Sequence, residues 1–444
     1  MSDMLELLRK FAPLRLAPVS EGTDLAVRFL CEELPFAVYE YASGEEYNGW
    51  TVPLAWRPVR AEVRKNGAVL YDGMRHPLGV AGYGSSFSGR VSLEELKQHL
   101  FYNVSFPNAL VYHCDYFYKP WKRDWGLSVP YNLYRSLEDG EYEVDIETRE
   151  SAGTMKVLEY VLPGETEESF LLNAHDCHAA QANDDISGVV VGVEVMRRLA
   201  MRADRRYTYR LVIAPEHLGT VFFLRDRVPL AQSIRGGMFL EMLGNRNRLA
   251  LQHSFTGEAE IDKAVSNVLR HHKPDAVEGA FRTIVGNDET VWEAPGIEIP
   301  CVSLSRFPYP EYHSSMDTED IIHADMLDDS VATVLSTIDI LEANGTAERL
   351  FTGLVALGNP KYDRYVSTED PSIRSLVTED QRRWHYLMTC LPRYFDGRTS
   401  LLDIAQKFDI DFPLLRSYVA KFEEKGLTRV LYPDTLPSDT ISRE

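Results

Sequence analysis

Residues 175–188, HDCHAAQANDDISG, gather imidazole, carboxylate and thiol groups directly behind the apolar run ESFLLNA. Side chains of these types, held on a rigid frame, bind transition metals. Zinc in particular takes nitrogen and oxygen donors and keeps one position open for water when it is catalytic. Taken alone, the stretch also reads as a polar surface loop. Other apolar runs in the chain end the same way, however. Glu216 and His217 follow YTYRLVIAP, Glu241 stands inside GGMFLEMLG, and His313 comes after IPCVSLSRFPYPEY. One histidine behind one strand is more often structural than a ligand; recurrence at separate strand ends points to a shared site.

The elements that must position these residues are legible from periodicity. From about Tyr142 onward, apolar runs (TMKVLEYVLP, ESFLLNA, YTYRLVIAP, GGMFLEML, IPCVSLSR) alternate with helical stretches such as SGVVVGVEVMRRLAMRA and EIDKAVSNVLRHH. That alternation is the mark of an α/β fold with helices on the faces of a sheet. In such sheets functional groups collect beyond the carboxyl ends of the strands, where His175, Asp184, Glu216, Glu241 and His313 are expected.

Three units are expected. Residues 1–45 and 126–350 form a discontinuous α/β domain. Residues 46–125 form a β-rich insertion, with KNG as a hairpin turn inside AEVRKNGAVLYDG. Residues 375–437 read as helix–turn–helix followed by a strand, a winged-helix unit. The aromatic stretch Tyr112–Trp125 suits a substrate wall or an interface, and equally a core junction. Arg306 with FPYPEY suits either a specificity pocket or a rigid surface loop.

Several segments resemble the di-zinc aminopeptidase family. NDDISG (183–188) is similar to the family segment whose first Asp bridges two metals, which implies Asp184 in that role, with His175 upstream as a ligand. FLEMLG is similar to the segment that supplies an acidic ligand, here Glu241, and YHSSMDTED to the one that supplies a histidine, here His313. GNDETVWEAPGIEIPCVSL also matches. GWTVPLAW, LEELKQHLFYN and YHCDYFYKPWKRDWG extend the resemblance to a bacterial subgroup of long proteins with an aminopeptidase-like domain, a β-rich insertion and a C-terminal winged helix. The implied fold is a mixed sheet flanked by helices.

The implied chemistry is hydrolysis of an amide or peptide bond in a small amine-bearing substrate by metal-activated water. It would use one or two zinc ions, with Glu216 as general base. Two positions depart from the family: His217 replaces a second glutamate, where it is expected as a ligand, and Cys177 replaces an aspartate that orients the first histidine. These departures motivate a second reading, a scaffold or regulatory protein of a biosynthetic pathway on the same fold. Tyr312 is a candidate oxyanion donor; the substrate-binding residues are not legible.

The totals narrow the partners. A formal charge of −20 on 444 residues disfavours nucleic acid and anionic membrane. No stretch approaches the about 18–20 apolar residues of a membrane span, and the opening MSDMLELLRKFAPLRLAP lacks the apolar core of a signal peptide. Five cysteines without a C-x-x-C pair fit a reducing cytoplasm better than a disulfide framework. A homo-oligomer through the insertion or the winged helix is compatible with the sequence.

Overall fold

The computed structural model describes residues 3–369, 372 and 374–432. The chain divides into two compact units, residues 1–257 with 277–332, and residues 258–276 with 333–444.

The first unit is built on an eight-stranded sheet whose strands are β1 (Ala37–Ala42), β2 (Thr154–Leu162), β3 (Ser169–His175), β4 (Thr208–Ala214), β5 (Ile234–Glu241), β6 (Ala250–Gln252), β7 (Val277–Gly279) and β8 (Cys301–Ser305). Their spatial order is β1-β2-β4-β3-β5-β8-β6-β7. The centre, β4-β3-β5-β8, is parallel, while β2 runs against both its neighbours and β6 runs against β8 but parallel to β7, so the sheet is mixed. Every residue of β3 is buried, as expected of an interior parallel strand that reads as one apolar run. The polar residue in the middle of that run, Asn173, is satisfied on both sides. Its amide donates to the Val212 carbonyl at 3.1 Å, and its carbonyl accepts from Trp292 Nε1 at 2.8 Å.

Parallel pairing aligns the strand ends. His175 pairs with Ala214 and Glu241 with Ser305. Asn173 pairs with Phe239, two residues ahead of His175 and Glu241 respectively. Helix α1 (Ser187–Ala200) is buried around most of its circumference, by Val189, Val190, Val193, Met196 and Leu199. Helix α2 (Leu218–Arg225) contributes Phe222 and Phe223 to a core shared with Phe239 and Trp292.

The same unit carries a smaller antiparallel sheet ordered 68–72, 55–65, 141–151, 87–92. Its first hairpin turns at Asn66 and Gly67, both at positive φ, the geometry an Asn-Gly type I′ turn requires. The strand Glu141–Ser151 belongs to this sheet, although it lies past the 46–125 span read as the insertion. It leads through Ala152–Gly153 into β2 and so connects the small sheet to the large one.

The second unit contains helix Glu260–His272, a three-stranded antiparallel sheet (396–400, 346–349, 428–431) and helices Glu379–Cys390, Leu401–Phe408 and Phe412–Glu423. Buried Asn267 ties its helix to the C-terminal pair: its amide donates to the Ile410 carbonyl at 2.9 Å and its carbonyl accepts the Phe412 N–H at 3.0 Å. Residues 433–437 of the expected winged-helix unit lie outside the described residues. Among the described residues no helix is long and apolar enough to cross a membrane.

Two stability predictions follow from these contacts. Asn173→Ala strands the Trp292 N–H in the core and opens a void, so urea unfolding of the first unit should show a loss of about 2–4 kcal/mol. In the second unit, burial raises the Asp403 carboxyl, but hydrogen bonds from Lys263 and Ser400 outweigh it and hold the group below the ordinary carboxylate range. A depressed folded-state pKa contributes stability above the unfolded value, about 3.9, that is lost as the pH falls through the folded one. Asp403→Asn should therefore flatten the acid limb of that unit's melting temperature below about pH 4; an unchanged limb would contradict this account.

Candidate metal centre

At the carboxyl end of β3 the chain delivers His175 and then turns through residues 176–181 into a single turn, Ala182–Ile186, before α1. Asp184 (φ −106°, ψ 90°) and Asp185 (φ −132°, ψ 26°) are non-helical within that turn, which frees their side chains from the helix surface. Asp185 is consumed structurally. It accepts the Met242 N–H at 2.9 Å and the His175 N–H at 3.2 Å, tying β3 to the residue after β5. Gly188 is required here, because a Cβ would meet the Leu240 carbonyl oxygen at 2.2 Å and the Asp185 carboxylate at 2.5 Å. Four residues around the site, Ala180, His217, Met242 and His313, adopt φ between 53° and 56°. Such backbone costs on the order of 1–3 kcal/mol per residue and concentrates at functional sites.

Asp184 is buried and has imidazoles on both carboxylate oxygens. His175 Nε2 lies 3.2 Å from Oδ1, and His178 Nε2 (3.4 Å) and His313 Nε2 (3.2 Å) both face Oδ2. Donor atoms of two triads, His175–Asp184–Glu241 and His178–Asp184–His313, each lie within 4.8 Å of one another, and the triads share Asp184. The His175, His178, Asp184 and Glu241 atoms that converge there are buried without hydrogen-bond partners among the described residues. His178 shows why this matters. Its Nδ1 lies 3.0 Å from the Ala179 carbonyl, which can only accept, so Nδ1 carries a proton and the neutral ring presents a lone pair at Nε2. A lone pair facing a carboxylate oxygen needs a proton or a cation between them. The donor set, nitrogen and oxygen on a rigid frame, fits zinc.

The surroundings are acidic. Burial would raise the Asp184 carboxyl, but the imidazoles of His175, His178 and His313 beside it hold it well below the ordinary range. Glu241 is pushed well above its ordinary value, first by burial and then by Asp185. The Asn287 amide donates to Glu241 Oε1 and leaves Oε2 aimed at the site. Asp317 accepts the backbone N–H groups of Asn183 (2.7 Å) and Asp184 (3.1 Å) and the Tyr309 hydroxyl (2.7 Å), fixing the turn from outside.

Glu216 follows β4 and comes within 3.9 Å of Cys177 Sγ. Cys177 in turn lies 3.5 Å from His175 Nδ1, and burial pushes its thiol up to about 12, so it stands as a neutral partner of that imidazole. His175, Cys177 and Glu216 form a third group of donors within 4.8 Å. Cys177 engages the opposite nitrogen of His175 from the one facing Asp184, so the thiol orients the ring.

His217 is not brought into any of these groups. Its backbone N–H donates to Asp288, which also accepts from Thr220, and this locks φ at 53°. Its ring stacks on Trp50 at 6.2 Å, with Nε2 3.3 Å from Thr290 Oγ1. The donor group beside Asp184 and His313 contains His178, which sequence reading passed over as a ligand. Three residues beyond a strand, only the loop's path through Ala180 turns it inward, and no spacing rule encodes that path. Tyr312 lies face to face with His313 at 3.8 Å and supports that ring. Arg306 is buried against the Asn247 carbonyl and Asp329.

Comparison with known proteins agrees with this architecture. A Clostridium acetobutylicum protein, provisionally named a polysaccharide biosynthesis protein with an aminopeptidase-like domain, is 28% identical over 413 residues, 92% of each chain. The crystal structure of a Clostridium acetobutylicum protein, provisionally named a peptidase, superposes with a TM-score of 0.80 at 27% identity, covering 97% of this chain and 96% of that one. A zinc aminopeptidase from Bacillus subtilis superposes with a TM-score of 0.57 at 11% identity over 76% of this chain and 93% of that one, a likeness of fold alone. The family model described as a domain of unknown function, DUF4910, matches residues 5–344. With most of its length inside that match, the chain belongs to the DUF4910 family.

Proposed function

We propose that the protein is a zinc-dependent hydrolase of an amide or peptide bond in a small amine-bearing substrate. The observation that carries this reading is the pair of donor triads sharing Asp184, with their converging atoms left without hydrogen bonds. His175, Asp184 and Glu241 would hold one ion, and His178, Asp184 and His313 a second. Bound there, zinc would polarise a scissile carbonyl and bring the pKa of water toward about 7.

The chain's own groups supply the remaining steps. Glu216, one-fifth exposed at the strand end, is free to take a proton from the attacking water and return it to the leaving amine. Cys177 and the His178–Ala179 contact hold the two imidazoles in their binding tautomers. The relative's name supports an amide substrate from a polysaccharide pathway. Five free cysteines support a reducing cytoplasm. The helix pair and three-stranded sheet of the second unit support reading residues 375–437 as a winged-helix module for protein contact, self-association included.

A second reading, a scaffold without turnover, draws on Cys177. A thiol is a weaker orienting partner for a ligand histidine than a carboxylate.

Metal analysis separates the residues. Protein purified without chelator should carry about two zinc ions per chain, and Asp184→Ala should lose both. His178→Ala should lose about one ion while His217→Ala keeps the wild-type content; the reverse order would refute the ligand assignment. Glu216→Gln should keep its metal and lose about 10²–10⁴-fold in turnover of aminoacyl anilides. Turnover that is absent in the metal-loaded wild type would favour the scaffold.

A further inference from the structure

Beside the metal centre the first unit contains a cavity of about 650 Å³, within the range of small-molecule sites. Cys177 and His178 lie along it, so it adjoins the loop that carries the second donor triad. Tyr112, another lining residue, stacks on His178 at 4.2 Å and meets His313 edge-on at 5.2 Å. Three more lining rings form a continuous group. Trp56 stacks on Tyr83 with centroids 5.9 Å apart, and Tyr83 lies 5.3 Å from Phe117. None of the three belongs to the large sheet. Trp56 stands on strand 55–65 of the small sheet, and Tyr83 and Phe117 in the segments that follow it.

This aromatic group is built at a cost. Tyr83 adopts φ 60°, a left-handed backbone that a bulky residue rarely takes and that costs on the order of 1–3 kcal/mol. Trp56 Nε1 (2.8 Å) and Arg123 (3.4 Å) both donate to the next carbonyl, that of Gly84, and pin the turn. That contact uses the indole's single donor, so Trp56 offers a ligand only its ring. The Tyr83 hydroxyl, in contrast, is buried with no hydrogen-bond partner among the described residues. Burial also pushes it above the ordinary tyrosine range, so it stays a neutral phenol. A hydroxyl left this way costs about 1–3 kcal/mol, which phenylalanine would avoid while keeping the ring. The charge beside the group is already paired. Glu150, the cross-strand partner of Trp56, is held by Arg123 at 2.5 Å. Side chains alternate along a strand, so Arg57 and its partner Arg149 project from the opposite face.

We propose that this cavity takes an uncharged aromatic ring, laid against Trp56, Tyr83 and Phe117, with a neutral polar substituent on the Tyr83 hydroxyl. The quadrupole of the aromatic faces favours a ring over an aliphatic group of the same size, and a hydrogen-bonding substituent satisfies the phenol. Tyr112 would carry the connection to the metal centre, because it lines the cavity and touches the imidazoles of His178 and His313. Assigning the ring to the hydrolase's substrate rests on the function proposed above; its binding does not.

The test is a ligand-observed NMR titration of the full chain with four small acetamides: 4-hydroxyacetanilide, acetanilide, N-cyclohexylacetamide and 4-acetamidobenzoate. Acetanilide should bind about 2–10-fold tighter than the cyclohexyl amide, and 4-hydroxyacetanilide about 2–10-fold tighter again. The carboxylate should bind no tighter than acetanilide. Tyr83→Phe should erase the advantage of the hydroxyl probe, leave acetanilide binding unchanged and melt no lower than wild type. Phe117→Leu should bring acetanilide down to the level of the cyclohexyl amide. Equal binding of those two probes by wild type, a tighter carboxylate, a hydroxyl advantage that survives Tyr83→Phe, or no binding at millimolar concentration would overturn the proposal. With aminoacyl anilides as substrates, Phe117→Leu should raise KM and spare kcat; an unchanged KM would overturn the placement of the ring on the substrate. A ring preference in protein without metal or turnover would keep the cavity assignment and sink the hydrolase. Turnover without the preference would do the opposite.

Discussion

Carboxylates do not share a protein interior without compensation, and this constraint organises the carboxyl end of the large sheet. Asp184, Asp185, Glu241 and Glu289 are all buried there. Each has lost hydration worth several kcal/mol at least, and each disfavours ionisation of the others. Two are settled by the chain itself: Asp185 by the backbone N–H groups of His175 and Met242, Glu289 by the Asn287 N–H and the Gln252 amide. Asp184 and Glu241 are not. Their open oxygens face imidazole nitrogens that also lack partners, and the charge balance of the core closes only when something positive is added.

That constraint explains why the scaffold around the site is so heavily specified. Positive φ at Met242 and His217 places backbone N–H groups on Asp185 and Asp288, which in turn hold β5 and α2 at the right height. The Asp317 carboxylate braces the Asn183–Asp184 turn from the opposite side, and burial together with Asp184 pushes it up to about 7. The strain at each residue is offset by a hydrogen bond to a buried carboxyl group. Removing a carboxylate would release backbone as well as charge, so these acids position the donors as much as any packed side chain does.

How much of this was legible depended on the distance over which each feature is encoded. The α/β alternation, the strand ends and the positions of His175, Asp184, Glu216, Glu241 and His313 were readable because period and chain order are local properties. The Asn66–Gly67 turn was readable for the same reason. His178 was not, since its inward direction depends on the path of residues 176–181. His217 stands apart from the donor groups because its ring stacks on Trp50, from a segment well over a hundred residues upstream. The strand Glu141–Ser151 escaped the 46–125 boundary because its pairing partners lie in that earlier segment.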